Sequence, residues 1–344
     1  TIQLKQGNDG EFQEFLRELD RGEVDNLFLF NVNPIYSMGG FEAMKKAGFT
    51  AYMGTALNET ASACQMICPD HHYLEAWGDA EPVRGSYSLQ QPCIHPLFNS
   101  RAYQDSLLKW ADADETFDEV LRTWWTTAIA PRSARNEKDW WIKTLQSGFY
   151  ESELEPMPAS ESYTPPEVSL SPLKSDLTLT LYTPVGLNDG RYGNNPWLHE
   201  LPDPVSKVCW DNYLSVSPAD AEKLGLADEM VVMLDRVDVP VLVQPGQADG
   251  TMSLALGYGR LTAGKVGEKV GVNAFRWVED RERNRSYINN RVKLELTRKT
   301  YALARTQTHH TMEGRPIVRE TTLQEFQKDP SAGNHFHLEA EKHH

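Results

Sequence analysis

The stretch Asp25-Asn-Leu-Phe-Leu-Phe-Asn31 is a short apolar run of the kind that forms a buried β-strand. Before it, residues 11–21 carry one apolar stripe at helical spacing, formed by Phe12, Phe15, Leu16 and Leu19. After it, a turn is predicted at Asn33-Pro34, a short helix over Phe41–Ala47 and a second strand over Phe49–Met53. Alternating helices and strands with short connections are typical of a parallel α/β sheet. The fold class is therefore predicted to be α/β, opening with a Rossmann-like parallel-sheet domain.

Two more helices are predicted in the first half, over Arg101–Trp110 and Asp114–Ala128. The second of these has an apolar face at helical spacing, formed by Phe117, Val120, Leu121, Trp124 and Ala128.

The second half has a different pattern, dominated by short strands. Leu177, Leu179 and Leu181 alternate with polar residues, as in a half-buried strand. Residues 217–225 are typical of a short helix, with Ser217 as N-cap, proline at its first position and Gly225 as the left-handed stop. Further strands are predicted over Met230–Leu234, Val239–Val243, Met252–Leu256 and Arg291–Leu296. Many short strands with one small helix predict a compact β-barrel.

Composition changes between the two halves and again near the end. Residues 151–176 are rich in serine, proline and glutamate, which is typical of an extended linker. The last residues hold six of the ten histidines and show little apolar periodicity. We therefore predict an α/β domain over 1–150, a linker over 151–176, a barrel domain over 177–305 and an extended connector over 306–344. Both ends read as cuts, so we expect a piece of a longer polypeptide.

Charge and hydropathy exclude two classes of partner. The 344 residues include 49 acidic and 34 basic ones, a formal net charge of −15. This acidity argues against nucleic acid, because neutralising phosphates needs a basic face. The best apolar run, Leu27–Phe30, is far shorter than the ~18 residues that a membrane helix needs.

Few motifs point directly to chemistry. The four cysteines, Cys64, Cys68, Cys93 and Cys209, lack the C-x2-C spacing of zinc and iron–sulfur sites. On a helix, Cys64 and Cys68 would share a face. We expect buried thiols; a disulfide is the alternative, but nothing selects a pairing. The cluster His71–Asp79 suggests either a metal or acid–base pair or, as we favour, a hydrogen-bonded loop lining an interdomain cleft. Gly257-Tyr-Gly259-Arg260 suits either a phosphate contact or a tight turn between barrel strands.

Several short motifs occur in a recognisable order. In the first half they are Asn58-Glu59-Thr60, Cys68-Pro-Asp70, Glu75, Gly78-Asp79 and Gly85-Ser-Tyr-Ser-Leu-Gln90-Gln91-Pro92. In the second half they are Trp210-Asp-Asn-Tyr-Leu214, Ser217–Gly225, Gln244-Pro-Gly246, Gly257–Arg260 and Gly271-Val-Asn273. Nearly the whole chain thereby resembles the molybdopterin oxidoreductase superfamily. The resemblance implies that the second domain is a double-psi β-barrel of the dinucleotide-binding type.

A narrower match covers Cys68–Pro82, Tyr87–Pro92 and His310–Glu320. These stretches resemble the large iron–sulfur subunit of bacterial alternative complex III, which oxidises quinol and reduces cytochrome c or a high-potential iron–sulfur protein. In that family a molybdopterin-enzyme-like region precedes a ferredoxin-like region that carries iron–sulfur clusters. The resemblance implies that this chain is the C-terminal part of the first region and that the clusters lie in the adjoining region.

The partners and location implied by that resemblance are specific. The partners would be the cluster-bearing remainder of the same subunit, a multihaem cytochrome c subunit and an integral membrane subunit with the quinol site. The assembly would lie on the periplasmic face of the bacterial cytoplasmic membrane.

The resemblance also marks the wall of a former cofactor cleft. Its candidates are Glu75, Asp79, Gln90, Tyr258, Gly259, Arg260 and Asn273. The superfamily's metal ligand lies in an earlier domain, so no catalytic residue and no metal ligand is assigned here. Molybdopterin is expected to be absent, and the segment is expected to be a scaffold. In the alternative, it belongs to an active molybdopterin-dependent oxidoreductase, and Tyr258, Gly259 and Arg260 hold the cofactor's pyrophosphate.

Overall fold

The computed structural model describes residues 9–39, 41–131, 138–153, 177–281, 284–306 and 320–333. Its first elements are helix α1 (Asp9–Arg21), strand β1 (Asn26–Phe30), helix α2 (Pro34–Ser37), strand β2 (Phe49–Gly54), helix α3 (Glu59–Ala63) and strand β3 (Met66–Pro69). These three strands form a parallel sheet in the order β1-β2-β3. The predicted parallel α/β sheet is thus confirmed. A 3-10 helix, Phe41–Lys46, takes the place of the short helix predicted there.

The apolar stripe of α1 packs as its spacing predicts. Leu19 is fully buried against Leu27 and Leu29 of β1 and against Phe41 and Met44 of the 3-10 helix. Phe12, Phe15 and Leu16 are partly buried on the same cluster. Removal of this apolar surface from water holds the helix on the sheet.

A small antiparallel sheet follows, with three helices packed around it. Its strands are β4 (Gly78–Val83), β5 (Ser86–Gln90) and β6 (Phe149–Glu151). The helices are α4 (Tyr103–Trp110), α5 (Phe117–Trp124) and α6 (Lys138–Ser147).

The apolar face predicted for α5 is partly wrong. Trp124 and Val120 are exposed, whereas Leu121 and Trp125 are buried. The chain continues from α5 into a π-helical turn, Trp125–Ile129. The buried face carries Phe117, Leu121 and Trp125, which are four residues apart, and Trp125 packs with Leu89, Leu121 and Trp141.

The second half contains fourteen further described elements, of which twelve are strands and α-helices up to residue 300. They are β7 (Thr178–Tyr182), α7 (Pro196–Glu200), β8 (Leu214–Val216), α8 (Pro218–Leu224), β9 (Met230–Leu234), β10 (Val237–Val243), β11 (Thr251–Ala255), α9 (Gly264–Gly267), β12 (Glu279–Arg281), β13 (Asn284–Ser286), β14 (Ile288–Asn289) and β15 (Leu294–Thr300). A 3-10 helix, Ala274–Trp277, precedes β12, and α10 (Leu323–Lys328) lies near the end.

Seven of these strands form one mixed sheet in the order β14-β7-β11-β8-β10-β9-β15. Strand β11 is parallel to β7, and β10 is parallel to β8. The short strands predicted for the second half are present and form this mixed sheet, whereas the compact barrel of double-psi type stays a prediction. The core of the sheet includes Leu179, Leu214, Val232, Leu234 and Met252.

Helix α8 follows its sequence signals closely. The Ser217 side chain accepts from the Asp220 amide at 3.0 Å, and Gly225 ends the helix with φ 67°. Strand β15, in contrast, begins three residues later than predicted. The reason is local, because Lys293 donates its amide to the Asp235 side chain at 3.0 Å before the strand starts.

The predicted division into domains stays a prediction. Residues 154–176, most of the predicted linker, lie outside the described residues, as do 307–319 and 334–344 of the predicted connector.

Candidate functional site

The candidate site is a buried ion pair where the first parallel sheet meets the second half of the chain. Glu59 is the first residue of α3, and Asn58 caps this helix by accepting from the Ala61 amide at 2.8 Å. Arg260 follows β11 by five residues. Both side chains are only 7% exposed, and Arg260 Nη2 lies 2.8 Å from Glu59 Oε2. The two halves of the chain therefore meet through opposite charges.

The Glu59 carboxylate is surrounded by donors. Arg260 Nε donates to both of its oxygens at 3.0 Å. The amides of Leu261 and Thr262 donate to Oε1 at 2.7 and 3.1 Å. The Asn33 side chain donates to Oε2 at 2.7 Å. With this many bonds, the buried charge is compensated.

The electrostatics of Glu59 follow from these contacts. Burial by itself would raise the pKa of this carboxyl group. The hydrogen bonds from Arg260 and Asn33 outweigh that effect and lower the pKa to about 2. Glu59 is therefore ionised at neutral pH.

The guanidinium of Arg260 is equally engaged. Its Nη1 donates to the Gly190 carbonyl, and its Nη2 donates to the Thr262 carbonyl at 3.0 Å. The guanidinium carbon lies 4.8 Å from the ring centroid of Tyr36, which is a cation–π distance. All three guanidinium nitrogens thus donate to protein acceptors.

Tyr36 and Asn273 close the junction next to the ion pair. The Tyr36 hydroxyl donates to the Tyr258 carbonyl at 2.6 Å. The Asn273 side chain donates to the Tyr36 carbonyl at 3.0 Å. The Tyr36 ring also meets the Phe275 ring edge-on at 5.2 Å. Burial raises the pKa of Tyr36 far above its ordinary value, so its hydroxyl remains a donor.

Gly259 lets two backbone segments touch beside Arg260. Its φ is +68°, and a Cβ placed on it would lie 2.1 Å from the Asn273 amide nitrogen. Its own amide donates to the Val270 carbonyl at 2.7 Å. The Lys269 amide likewise donates to the Arg260 carbonyl at 2.8 Å, so residues 259–260 pair with residues 269–270.

The predicted cleft residues separate into two groups. Tyr258, Gly259, Arg260 and Asn273 lie together at the junction. Glu75, Asp79 and Gln90 have local partners in the part of the chain around β4 and β5.

The second group has structural contacts. Glu75 accepts from the amides of His72 and Leu97, both at 2.9 Å, and these bonds lower its pKa. Asp79 accepts from the indole nitrogen of the buried Trp125 at 2.8 Å. Gln90 donates to the Ala76 carbonyl at 3.0 Å. Their contacts hold a loop, a tryptophan and a strand end in place.

Sequence reasoning missed three members of the junction as site residues: Asn33, Tyr36 and Glu59. The available signal was their position, since Asn33 and Tyr36 follow β1 and Glu59 follows β2. Loops after the carboxyl ends of parallel strands are where sites tend to form.

The prediction of buried thiols is wrong for most of the cysteines. Cys209 is buried, Cys64 and Cys68 are half-buried, Cys93 is exposed, and all four are free. Cys64 ends α3 whereas Cys68 lies in β3, so the two do not share a helix face. Within the described ranges, no group of three or more His, Cys, Asp or Glu side chains is arranged to hold a metal ion.

The junction does not fit a cofactor pyrophosphate. A phosphate held there would need donors from the amides or the guanidinium of residues 259–262. The amides of Gly259, Leu261 and Thr262 and the nitrogens of Arg260 already donate to protein oxygens. The Glu59 carboxylate occupies the anionic position beside Arg260, so a phosphate would have to displace it.

Comparisons with known proteins identify the fold. No family model matches the chain, and no curated protein matches its sequence. Among solved structures, acetylene hydratase from Pelobacter acetylenicus is similar, with a TM-score of 0.63 and 14% identity over 86% of this chain. The alignment spans 48% of that structure, about half of its length. The chain therefore shares the fold of this part of acetylene hydratase.

Among the residues that the structure describes, each helix is too short or too polar to cross a bilayer.

Proposed function

We propose that this chain is a non-catalytic part of the large iron–sulfur subunit of alternative complex III. In this role it belongs to a quinol oxidoreductase that passes electrons to cytochrome c or a high-potential iron–sulfur protein. Its task is to hold the cluster-bearing region of the subunit in position between the quinol site and the haem subunit. The chain itself carries no redox centre and no active site.

One observation carries the proposal, namely the ion pair between Glu59 and Arg260. An arginine that binds a cofactor's phosphate needs guanidinium nitrogens that are free to donate to it. Here the guanidinium is bound by a carboxylate of the same chain, and both side chains are buried. Since exchanging one anion for another would leave the Glu59 charge buried and unpaired, the arrangement favours a permanently closed junction.

Two further points support the choice of family. The fold is of the molybdopterin oxidoreductase type, as the proposal requires. The stretches Cys68–Pro82 and Tyr87–Pro92 resemble the large iron–sulfur subunit of the complex. The proposed partners are the cluster-bearing remainder of the subunit, a multihaem cytochrome c and an integral membrane subunit, on the periplasmic face of the membrane.

The alternative is an active molybdopterin-dependent oxidoreductase, which the shared fold favours in a general way. In that case Tyr258, Gly259 and Arg260 would contact the pyrophosphate. The side chain of Glu59 would then have to leave Arg260 when the cofactor binds.

Elemental analysis of the native protein with its partners separates the two functions. We expect iron but no stoichiometric molybdenum or tungsten, and no pterin after acid extraction and oxidation. About one molybdenum or tungsten atom per chain, with pterin, would establish the enzyme and refute the scaffold. Quinol:cytochrome c oxidoreductase activity in the same preparation checks the assignment to the complex.

A further inference from the structure

Strand β1 has an open edge. The strand order β1-β2-β3 places β1 at one side of the parallel sheet, next to β2. On the side of β2, the Asn31 amide donates to the Met53 carbonyl at 2.7 Å. Because residues along a strand direct their backbone groups alternately to its two sides, Asn26, Phe28 and Phe30 direct theirs away from β2. Within the described part of the chain, no residue is hydrogen-bonded to these outward amides and carbonyls.

The opposite edge of the sheet, formed by β3, is protected against further pairing. Pro69 has no amide to donate, and its carbonyl accepts from the Arg101 amide at 3.1 Å. Strand β3 also has only four residues. Short strands and prolines are usual means of keeping a sheet edge unpaired. Strand β1 has five residues, none of them proline or charged, so it is the edge that suits another strand.

Helices cover β1 on both of its faces. The apolar stripe of α1 packs on one face. On the other face lies α4, where the ring centroid of Trp110 is 5.6 Å from that of Phe28. Further along, the Tyr103 ring lies 5.0 Å from the Phe30 ring. Since parallel strands are normally buried between helices, a strand added at this edge would continue a sheet that is already covered in this way.

Apolar side chains are exposed along the open edge. The exposed fractions are 39% for Phe28, 39% for Leu107 and 47% for Trp110. Leu107 and Trp110 are three residues apart on α4 and therefore lie on one side of it. Strand addition uses unpaired backbone groups for affinity and neighbouring side chains for specificity. The strand that fits this edge is therefore uncharged, with apolar side chains towards α4.

The comparison of folds indicates the source of such a strand. The alignment covers 48% of the acetylene hydratase chain, so about half of that single polypeptide has no counterpart here. We propose that β1 pairs along its open edge with a further apolar β-strand, supplied by a segment of the same polypeptide outside residues 1–344. The proposal rests on the open edge and the shared fold, and it does not depend on the proposed function.

Hydrogen exchange of single backbone amides tests the proposal in the native full-length protein. Two outward amides are compared, Phe28 at the edge of β1 and Ile67 at the edge of β3. Ile67 faces outward because the Asp70 amide, three residues later, donates to the Gly54 carbonyl of β2. After correction for intrinsic rates, we expect Phe28 to exchange at least about a hundredfold more slowly than Ile67. Equal rates would overturn the proposal.

Proline variants of the full-length protein at the two edges give a matched comparison. Phe28→Pro removes an amide that points away from β2, so the bonds between β1 and β2 stay while the added strand loses one. Ile67→Pro makes the same change at the protected edge. We expect Phe28→Pro to speed exchange at the Phe30 amide at least about tenfold and Ile67→Pro to leave it unchanged. The same response to both variants would refute the pairing.

A second variant serves where Phe28→Pro unfolds the sheet. The Leu29 amide faces β2, so its protection reports whether the sheet is intact. Trp110→Ser weakens the apolar contact on the α4 side and leaves the backbone of β1 unchanged. It should also speed exchange at Phe30 at least about tenfold while Leu29 stays protected. No change at Phe30 would count against the added strand.

Photo-cross-linking identifies where the strand comes from. p-Benzoylphenylalanine replaces Trp110 in the purified native protein, and the peptide that it captures is identified by mass spectrometry. We expect an apolar peptide of the same polypeptide from outside residues 1–344. Capture of a peptide from within residues 1–344, from another protein or from a second copy, or no capture at all, would overturn the proposal.

Discussion

Glu59 and Arg260 are separated by 201 residues in the chain, yet Arg260 Nη2 lies 2.8 Å from Glu59 Oε2 inside the protein. A charge pair buried this deeply is stable only while both partners remain, because each one compensates the desolvation of the other. The pair therefore fixes how the first parallel sheet meets the loop after β11. The contribution of the pair to the free energy of unfolding can be measured with variants of either residue, which tests whether the junction is structural.

Removing one partner of the pair should destabilise the protein strongly. For Glu59→Ala or Arg260→Ala we expect a loss of about 3–5 kcal/mol in the free energy of unfolding, since the remaining charge stays buried and unpaired. The double variant should lose less than the sum of the two single losses. Urea unfolding followed by circular dichroism measures these values.

The control for this prediction is an exposed pair, Lys299 and Asp238. Lys299→Ala should change the free energy of unfolding by about 1 kcal/mol or less. Similar losses at both pairs would contradict the importance of the buried one.

The same pair should make stability depend on pH in acid. The folded pKa of Glu59 is lowered from 4.5 to about 2, so the unfolded state binds a proton more readily than the folded state. The stabilisation is fully present above pH 4.5 and is lost as the pH falls from there towards 2. Unfolding free energies measured from pH 7 downwards should show this decline.

Other carboxylates also titrate in that range, so the comparison with Glu59→Gln is decisive. The variant should be less stable than the parent at pH 7, and the difference should shrink as the pH falls towards 2. A constant difference over this range would show that Glu59 has an ordinary pKa.

Variants of Asp79 can distinguish a structural role of this side chain from a role in binding a ligand. Its carboxylate accepts from the Trp125 indole at 2.8 Å, and the Trp125 side chain is fully buried. Asp79→Leu should lower the free energy of unfolding by about 1–3 kcal/mol, because the indole donor loses its partner. Asp79→Asn keeps an acceptor and should have a smaller effect, measured by the same denaturant titration. No loss in Asp79→Leu would favour a ligand-binding role instead.

The sequence predicted best what depends on local pattern. The alternation of helices and strands around β1 and β2 was predicted from short-range patterns and is present in the structure. The same holds for the cap of α8 at Ser217 and its stop at Gly225. The prediction placed Trp124 on the buried face of α5, whereas Trp125 is the buried residue. Trp124 follows Leu121 by three residues and Trp125 follows it by four, so helical spacing alone does not choose between them.

The pairing of Glu59 with Arg260 could not be predicted from the sequence, because a single charged residue ordinarily faces water. The motif order placed Arg260 in a candidate site, but its partner lies in a different sheet and no periodicity connects the two. Motif order also grouped Glu75, Asp79 and Gln90 with Arg260, because order along the chain carries no information on distance. In the structure these three side chains have partners around β4 and β5 instead.

Gly259 allows the close contact at the junction to be tested by one added methyl group. In Gly259→Ala the new Cβ would lie 2.1 Å from the Asn273 amide nitrogen, so the loop of Arg260 and the segment 272–273 must move apart. Gly225→Ala is the matched control, because Gly225 has nearly the same φ, +67°, but nothing within 4 Å of the added Cβ. Both variants bear the cost of a left-handed alanine, about 1 kcal/mol. Only Gly259→Ala bears the steric cost as well, so its unfolding midpoint in urea should lie clearly below that of Gly225→Ala. Equal midpoints would mean that the two segments separate freely, and the junction would then be open enough to admit a ligand beside Arg260.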